Sequence, residues 1–506
     1  MSLLKKYKFD ILISAIFLLV YLLTRLINIT HLPIFTDEAI YIRWSQIAKQ
    51  DASWRFISLT DGRQPMYVWW TMIMLKFIKD PLFAGRLTSV ATGLFSMIGM
   101  FFLTRALFKN KWIGFLSAGI YAIFPFAIVY DRMAMYDSMV AMFAIWSLYL
   151  EVILVTRVQT VYAFIAGLIV GGGLLTKSNA FFNVYLLPFT VVLFDFSRKA
   201  REKRFFKWIL LTILTIGLSY LYYSILRLSP YFGIIGEKNY TFIYSFSDWI
   251  KSPLAFFPGN FHGLFFWMIS YINWYGFLLA AVSLFVLTKF WREKLLLLIW
   301  FGAPFIALSF FGKVIYPRYI LPMVIFLIPL MALTLYASFK VIRTKFVGVL
   351  LVLLLVGVYM YVDRFIIFDF AHAPIPSTDL AQYINSWPAG GGMKEIDAYL
   401  LAQSQNQKIY VGTEGTYGLM PESVEIYLAN NPNVTIQGYW PISAILPQDL
   451  AAASKKMPTF VVFYQPCVSC TNTYEPPSSW PVKLIAQYKK GIGNWYTKLY
   501  QIIPTK

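Results

Sequence analysis

The chain has 506 residues, of which 58% are hydrophobic and 13% charged, and its mean hydropathy is +0.61. Soluble domains average about half apolar and about one quarter charged, so this composition excludes an ordinary soluble protein and marks an integral membrane protein. The 44 Lys+Arg against 24 Asp+Glu leave a net charge of +20, which would suggest nucleic acid in a soluble protein and in a membrane protein reads first as a topology signal.

A spanning helix needs about 20 mostly apolar residues. Runs of that kind lie near 9–28, 82–108, 112–130, 135–156, 160–176, 179–196, 207–226, 262–288, 295–312, 318–338 and 346–362, which predicts about eleven transmembrane helices. The apolar stretch 65–79 is a further short or surface-lying helix. The first run has no small-residue cleavage site and reads as a retained helix rather than a signal peptide. Lys and Arg in short loops favour the cytoplasm. With Lys5, Lys6 and Lys8 inside, the loops of matching parity are basic as well: Arg105, Lys109 and Lys111; Arg157; Arg198 to Lys207; Lys289, Arg292 and Lys294; Lys340, Arg343 and Lys345. Topology thus accounts for much of the positive charge, and no nucleic-acid partner is needed. The expected location is the plasma membrane, with a cytoplasmic N-terminus.

Past residue 362 the pattern changes. No segment of 363–506 is long and apolar enough to span, and strand-like runs at 408–413, 433–439, 459–465, 481–487 and 494–501 alternate with helical ones at 421–430 and 447–455. This predicts a small α/β domain. An odd number of spans places it on the extracytoplasmic side, after a transmembrane domain covering 1–362. Cys467 and Cys470, the only cysteines, form a lone CxxC, which reads as a local disulfide rather than zinc or redox chemistry.

Charge on the outer side is concentrated in a few segments. "IFTDEAIYIRW" (34–44) carries the adjacent carboxylates Asp37 and Glu38 in the outer loop 30–64, and "DGRQPMYVWW" (61–70) adds Arg63 and Tyr67. "YDRMAMYDS" (130–138) sets Asp131, Arg132 and Asp137 between two apolar runs, where ionisable groups are costly and point to function. Lys177, Lys313 and Arg318 stand at outer turns of other helices. One carboxylate of "TDEAI" suffices to cap a helix start, so the second is free for other work. Converging cations suit a phosphate, which Arg grips through paired donors. His262 and Asp137 are the candidate ligands for a divalent metal ion. Nucleotide-binding and zincin motifs are absent from the sequence, and "GGG" at 171–173 reads as close helix packing.

Together these motifs resemble the GT-C membrane glycosyltransferases, in the branch of the protein O-mannosyltransferases and the aminoarabinose (lipid A) transferases. The Asp-Glu pair follows the first helix, Arg132 and Asp137 match an Arg-x(4)-Asp element, "LLTKS" resembles Leu-Thr-Lys-Gly, and "KVIYPRYILPM" resembles an Arg-Tyr-x-Leu-Pro helix start. Arg63-Gln64-Pro65-Met66 departs from the usual Lys-Pro-Pro-Leu, and Ser178 replaces a Gly. The resemblance implies a GT-C-like fold and transfer of a sugar, with inversion, from a polyprenyl-phosphate donor to a protein, lipid or glycan acceptor. It implies Asp37 as general base, with Glu38 orienting it or the acceptor. It further implies Asp137 as a residue holding the site or a metal ion, and Arg132, Lys177, Lys313 and Arg318 as cations for the departing phosphate. A transporter or flippase for a lipid-linked or anionic substrate is the main alternative, although alternating access expects charges near the midplane. A non-catalytic envelope scaffold would leave the charged set unexplained.

Overall fold

The computed structural model describes residues 2–341, 345–464 and 475–504. Arg343 and the Cys467/Cys470 pair lie outside the described residues. Eight described helices are long and apolar enough to cross a membrane: Tyr7–Leu26, Pro81–Phe108, Tyr136–Arg157, Arg201–Leu228, Phe257–Val282, Thr288–Phe311, Pro317–Lys340 and Lys345–Phe368. A ninth is possible if Lys111–Ala122 and Pro125–Asp131, bent by 58° at their junction, form one span. Pro125 supplies the break, since it has no N–H to donate and forces the preceding residue out of the helical region. Thr160–Leu174 and Ser178–Leu193 are apolar but short. Every one of the eleven predicted runs is therefore helical, while length supports eight spans, or nine with the bent pair. The last helix runs to Phe368, past the boundary expected at 362.

The glycine triplet does pack closely. A Cβ on Gly172 would sit 2.6 Å from Cε1 of Phe143, and one on Gly171 would sit 2.8 Å from Cδ1 of Tyr222. Only the missing side chains let helix 160–174 approach its neighbours this closely.

The segment after the first helix is folded rather than an open loop. Helix Thr36–Gln50 is followed by 3₁₀ turns at Ala52–Trp54 and Ile57–Asp61 and by the short helix Met66–Met74. Above it sits a five-stranded sheet, β1 (Ile409–Glu414), β2 (Val434–Tyr439), β3 (Thr459–Phe463), β4 (Val482–Lys489) and β5 (Tyr496–Ile502), in the order β2-β1-β3-β5-β4. Strands β2, β1 and β3 are parallel, with Val411 opposite Ile436 and Phe460, whereas β5 runs antiparallel to β3 and β4. All five residues of β3 are buried, as a β-branched and aromatic run on a central strand should be. Helix Met393–Ser404 was not anticipated.

The sheet unit is joined to the helical part through helix 36–50. Ile40, Tyr41 and Tyr67 share one apolar cluster with Val411, Leu428 and Phe460. The backbone is joined too: the Thr36 N–H donates to the Pro388 carbonyl at 3.0 Å, and the Gly390 N–H donates to the Ile34 carbonyl at 2.7 Å. An Arg43–Glu425 ion pair at 2.6 Å adds a polar tie on the same helix. The residues just before Asp37 are therefore gripped from the sheet side.

Candidate functional site

Helix 36–50 begins at Phe35, and its third residue, Glu38, accepts the Phe35 N–H at 2.9 Å. Capping is thus done by Glu38. Asp37, in the same first turn, is left to face the cations. Its Oδ2 lies 3.2 Å from an Arg318 amino group and its Oδ1 lies 3.9 Å from one of Arg63. These pairs are in contact without hydrogen-bond alignment, so Asp37 Oδ2 and Arg318 Nη1 are buried with no hydrogen-bond partner. Burial pushes the Asp37 carboxyl up, but Arg63, Arg318, Lys177 and Lys238 together outweigh it and hold the group below its ordinary value. Asp37 is therefore ionised at neutral pH.

Arg63 and Lys177 also line a cavity of about 510 Å³. Its wall carries the polar residues Arg63, Gln64, Lys177, Ser178, Lys238 and Asn239, with Gln64 donating to Ser178 at 2.8 Å; the rest is apolar and aromatic, including Phe181, Phe182, Phe242, Leu308, Phe311 and Met323. Each cation has a carboxylate behind it. Arg63 is 3.1 Å from Asp61, Lys238 is 2.6 Å from Asp61, and Lys177 donates to Asp137 at 2.7 Å. The Lys177 ammonium also lies 4.7 Å from the ring centroid of Tyr319, and the Arg318 guanidinium lies 4.9 Å from that of Tyr316. Burial lowers the Lys177 pKa more than Asp137 raises it. With all groups ionised, four cations (Arg63, Lys177, Lys238, Arg318) face three carboxylates (Asp37, Asp61, Asp137), leaving one net positive charge.

Several expected site residues are placed elsewhere, each for a clear reason. Glu38 is fully buried: it takes Arg86 at 2.9 and 2.8 Å through its two oxygens, and it accepts the Ala134 N–H at 2.6 Å as well as that of Phe35. Its lone pairs are consumed, so it fixes the helix and has nothing to offer a substrate. Arg132 turns inward, donating to the carbonyls of Thr24, Arg25 and Ile27 at 2.8–3.0 Å. These belong to the C-terminal end of the first helix, whose unpaired carbonyls attract a cation, and Arg132 does not line the cavity. Asp131 pairs with Arg25 at 3.1 Å instead of with Arg132. Tyr67 is buried, its hydroxyl donating to the Gly85 carbonyl at 2.8 Å, and it does not reach the cavity. Lys313 is exposed and does not line the cavity.

The metal expectation meets an electrostatic obstacle. His262 is exposed on helix Phe257–Val282, and Asp137 is neutralised by Lys177. Among the described residues no group of three or more His, Cys, Asp or Glu could hold a metal ion. A divalent cation at Asp37 or Asp137 would sit against Arg63, Arg318 and Lys177, so the side chains present do not fit one.

Sequence reasoning missed Asp61, Lys238 and Arg86. Arg86 did carry a signal, being a charge inside an apolar run; Asp61, at the end of the 3₁₀ turn Ile57–Asp61, and Lys238, on the short helix Ile234–Phe242, stand in ordinary polar sequence and carried none. A buried carboxylate, Asp379, was missed as well. It accepts from Tyr130 at 2.7 Å and from Tyr271, and burial pushes its pKa up to about 7 against those two hydrogen bonds.

The comparisons with known proteins agree with this architecture. Residues 62–223 match the family model of the dolichyl-phosphate-mannose-protein mannosyltransferases. No curated protein sequence matches the chain. Among solved structures, ArnT from Cupriavidus metallidurans in the apo state superposes with a TM-score of 0.60 at 14% identity, over 98% of both chains. The same protein bound to undecaprenyl phosphate gives 0.56 at 14% identity, again over 98% of both. The Archaeoglobus fulgidus oligosaccharyltransferase in complex with zinc and sulfate gives 0.54 at 16% identity, over 89% of this chain and 67% of that one. The chain thus has the GT-C fold, that of a polytopic helical membrane protein with a C-terminal sheet unit.

Proposed function

We propose that this GT-C protein transfers a sugar from a polyprenyl-phosphate donor, held in the 510 Å³ cavity, to an acceptor hydroxyl activated by Asp37. The observation that carries the reading is the ionised Asp37 between Arg318 and Arg63, with Arg63 also lining, beside Lys177 and Lys238, a cavity whose other walls are largely apolar and aromatic. The family match to mannosyltransferases and the fold shared with ArnT, solved with undecaprenyl phosphate, support the donor class. A phosphodiester carries one negative charge, which matches the one net positive charge of the site. The aromatic and aliphatic walls suit the isoprenoid chain.

The chemistry follows from these placements. An acceptor oxygen attacks the anomeric carbon, the bond from that carbon to the phosphate oxygen breaks, and its electron pair leaves with the phosphate. The acceptor proton passes to the Asp37 carboxylate. Departure creates a second negative charge on the phosphate, and Arg63, Lys177, Lys238 and Arg318 stabilise it as it develops. A phosphate is a weak base, so no protonation of the leaving group is required. Asp37 in the free protein is a weak base, but a phosphate that engages the cations weakens their hold on the carboxylate. Its basicity therefore rises when donor is bound. A single displacement inverts the anomeric centre. Counting the bent pair 111–131 as one span gives nine, an odd number that leaves the basic loops on the side of the N-terminus, and on that count we place this site and the sheet on the extracytoplasmic face.

The test supplies purified protein with a labelled polyprenyl-phosphate sugar and a membrane extract. Transfer of label that disappears in Asp37→Asn and persists in Lys251→Ala, an exposed outer residue, supports the reading. Equal transfer by Asp37→Asn contradicts it.

A further inference from the structure

The loop after β1, Gly415–Gly418, brings the sheet unit to the mouth of the site. Gly418 lies against Thr36, the neighbour of Asp37: a Cβ added there would be 3.5 Å from Thr36 Cγ2. The loop is anchored at both ends. The Gly415 N–H donates to the Tyr439 carbonyl at 2.8 Å, and the Gly418 N–H donates to a Glu422 carboxylate oxygen at 3.0 Å. Both glycines hold positive φ, +108° and +118°, a conformation that residues with a Cβ avoid. This geometry turns the chain sharply around Tyr417.

Tyr417 is 47% exposed. Its ring rests on that of Trp44, centroids 6.4 Å apart, and Trp44 is buried on the same helix as Asp37. The charges of Asp61, Arg63 and Asp37 all act on its hydroxyl. A rigidly presented tyrosine offers apolar area and a hydroxyl at little entropic cost, which is what recognition surfaces use. Tyr417 does not line the donor cavity, whereas Arg63 does. Its loop adjoins the charged set through Trp44 and Thr36, on the helix of Asp37, and not through the cavity wall, so an acceptor that reaches Asp37 while the donor fills the cavity has this surface available.

We infer that Tyr417 is an acceptor-positioning residue, through which the C-terminal sheet unit forms one wall of the acceptor entrance. The inference rests on the transferase reading above. Its test separates two reactions of the same site. Without acceptor, water replaces the acceptor hydroxyl: it attacks the anomeric carbon, loses its proton to Asp37, and yields free sugar and polyprenyl phosphate. The purified protein is given a labelled polyprenyl-phosphate sugar, either alone or with membrane extract.

For Tyr417→Ala we expect transfer to the extract to fall about tenfold, the usual scale for losing an aromatic anchor. Hydrolysis of donor should stay within about twofold of wild type, and Tyr417→Phe should recover most of the transfer, since the ring supplies most of the contact. The side chain is half exposed and the backbone anchors do not involve it, so Tyr417→Ala should keep the wild-type melting temperature. Unchanged transfer overturns the inference. A parallel loss of transfer and hydrolysis also overturns it, because Tyr417 would then act on the donor or on Asp37. A wild-type protein that neither transfers nor hydrolyses instead overturns the transferase reading itself.

Discussion

Replacing Glu38 by Gln separates a positioning role from a chemical one. In the wild type each Glu38 oxygen meets Arg86, at 2.9 and 2.8 Å, and each accepts one backbone N–H, from Ala134 and Phe35. Both partners of the ion pair are fully buried. Gln keeps the shape but removes the charge, and its amide turns donors toward Arg86 and one backbone N–H. Breaking a buried pair from one side costs about 3–5 kcal/mol, because the surviving charge has lost its counterion. Against a typical total of about 5–15 kcal/mol, that is a large fraction. Arg86 keeps its carbonyl contacts with Ile29, Leu32 and Pro33 at 2.6–3.0 Å, which places the loss at the lower end of the range. Glu38→Gln should therefore melt well below wild type in detergent, while the folded fraction still transfers sugar. The double variant Glu38→Leu/Arg86→Met should regain much of the lost stability, since apolar replacement of a buried pair is often neutral. Wild-type stability with abolished turnover in Glu38→Gln would refute this reasoning and return Glu38 to the chemistry.

Arg318→Lys keeps a charge but loses the planar fork, and its effect should fall on the donor: kcat/KM for the polyprenyl-phosphate sugar should drop by about 10–100-fold, measured by initial rates. The Asp37 carboxyl is held below its ordinary value of 3.8. Its ionisation therefore supports activity and stability above that value, and both contributions fade only as pH falls through the lower folded-state value. A profile of kcat/KM against pH should show no inflection from Asp37 above about pH 4. Asp379 behaves oppositely, with burial raising it to about 7, so it favours its neutral form up to that pH. Asp379→Asn should remove any inflection near neutrality from the profile while leaving the acidic limb in place. Gly172→Leu should destabilise the protein by about 1–3 kcal/mol in thermal unfolding, because even a Cβ there would meet Phe143 at 2.6 Å.

The helical part was legible because spanning length and apolarity are one-dimensional properties. All eleven runs recur as helices, and what sequence could not fix was which of them span. Pro125 bends one, and two others stay short. The strands of the sheet were legible for a similar reason, since β-branched and aromatic residues cluster in β1, β3 and β5. The site was legible only in part. Asp37, Lys177, Asp137 and Arg318 stand out as charges next to apolar runs, and the structure brings them together with Arg63. The direction a long side chain takes is not in the sequence. Arg132 had the right neighbours for a phosphate ligand, yet the open carbonyls at the end of the first helix captured it. Glu38 was expected to orient Asp37 or the acceptor, and one residue of helical rotation sent it to Arg86. Tyr417 had no signal at all, since its significance lies in a loop that meets helix 36–50 from hundreds of residues away.

The central claim is that Asp37 acts on the acceptor and not on donor binding, and one measurement isolates it. Donor affinity and turnover are measured together for wild type and Asp37→Asn, with a labelled polyprenyl-phosphate sugar in detergent micelles. Removing a carboxylate from among four cations should leave donor binding unchanged or tighter, since the site becomes more positive. Turnover should fall by about 10²–10⁴-fold, the range for loss of a general base. Asp37→Asn that binds donor poorly yet turns over what it binds at the wild-type rate would contradict the account.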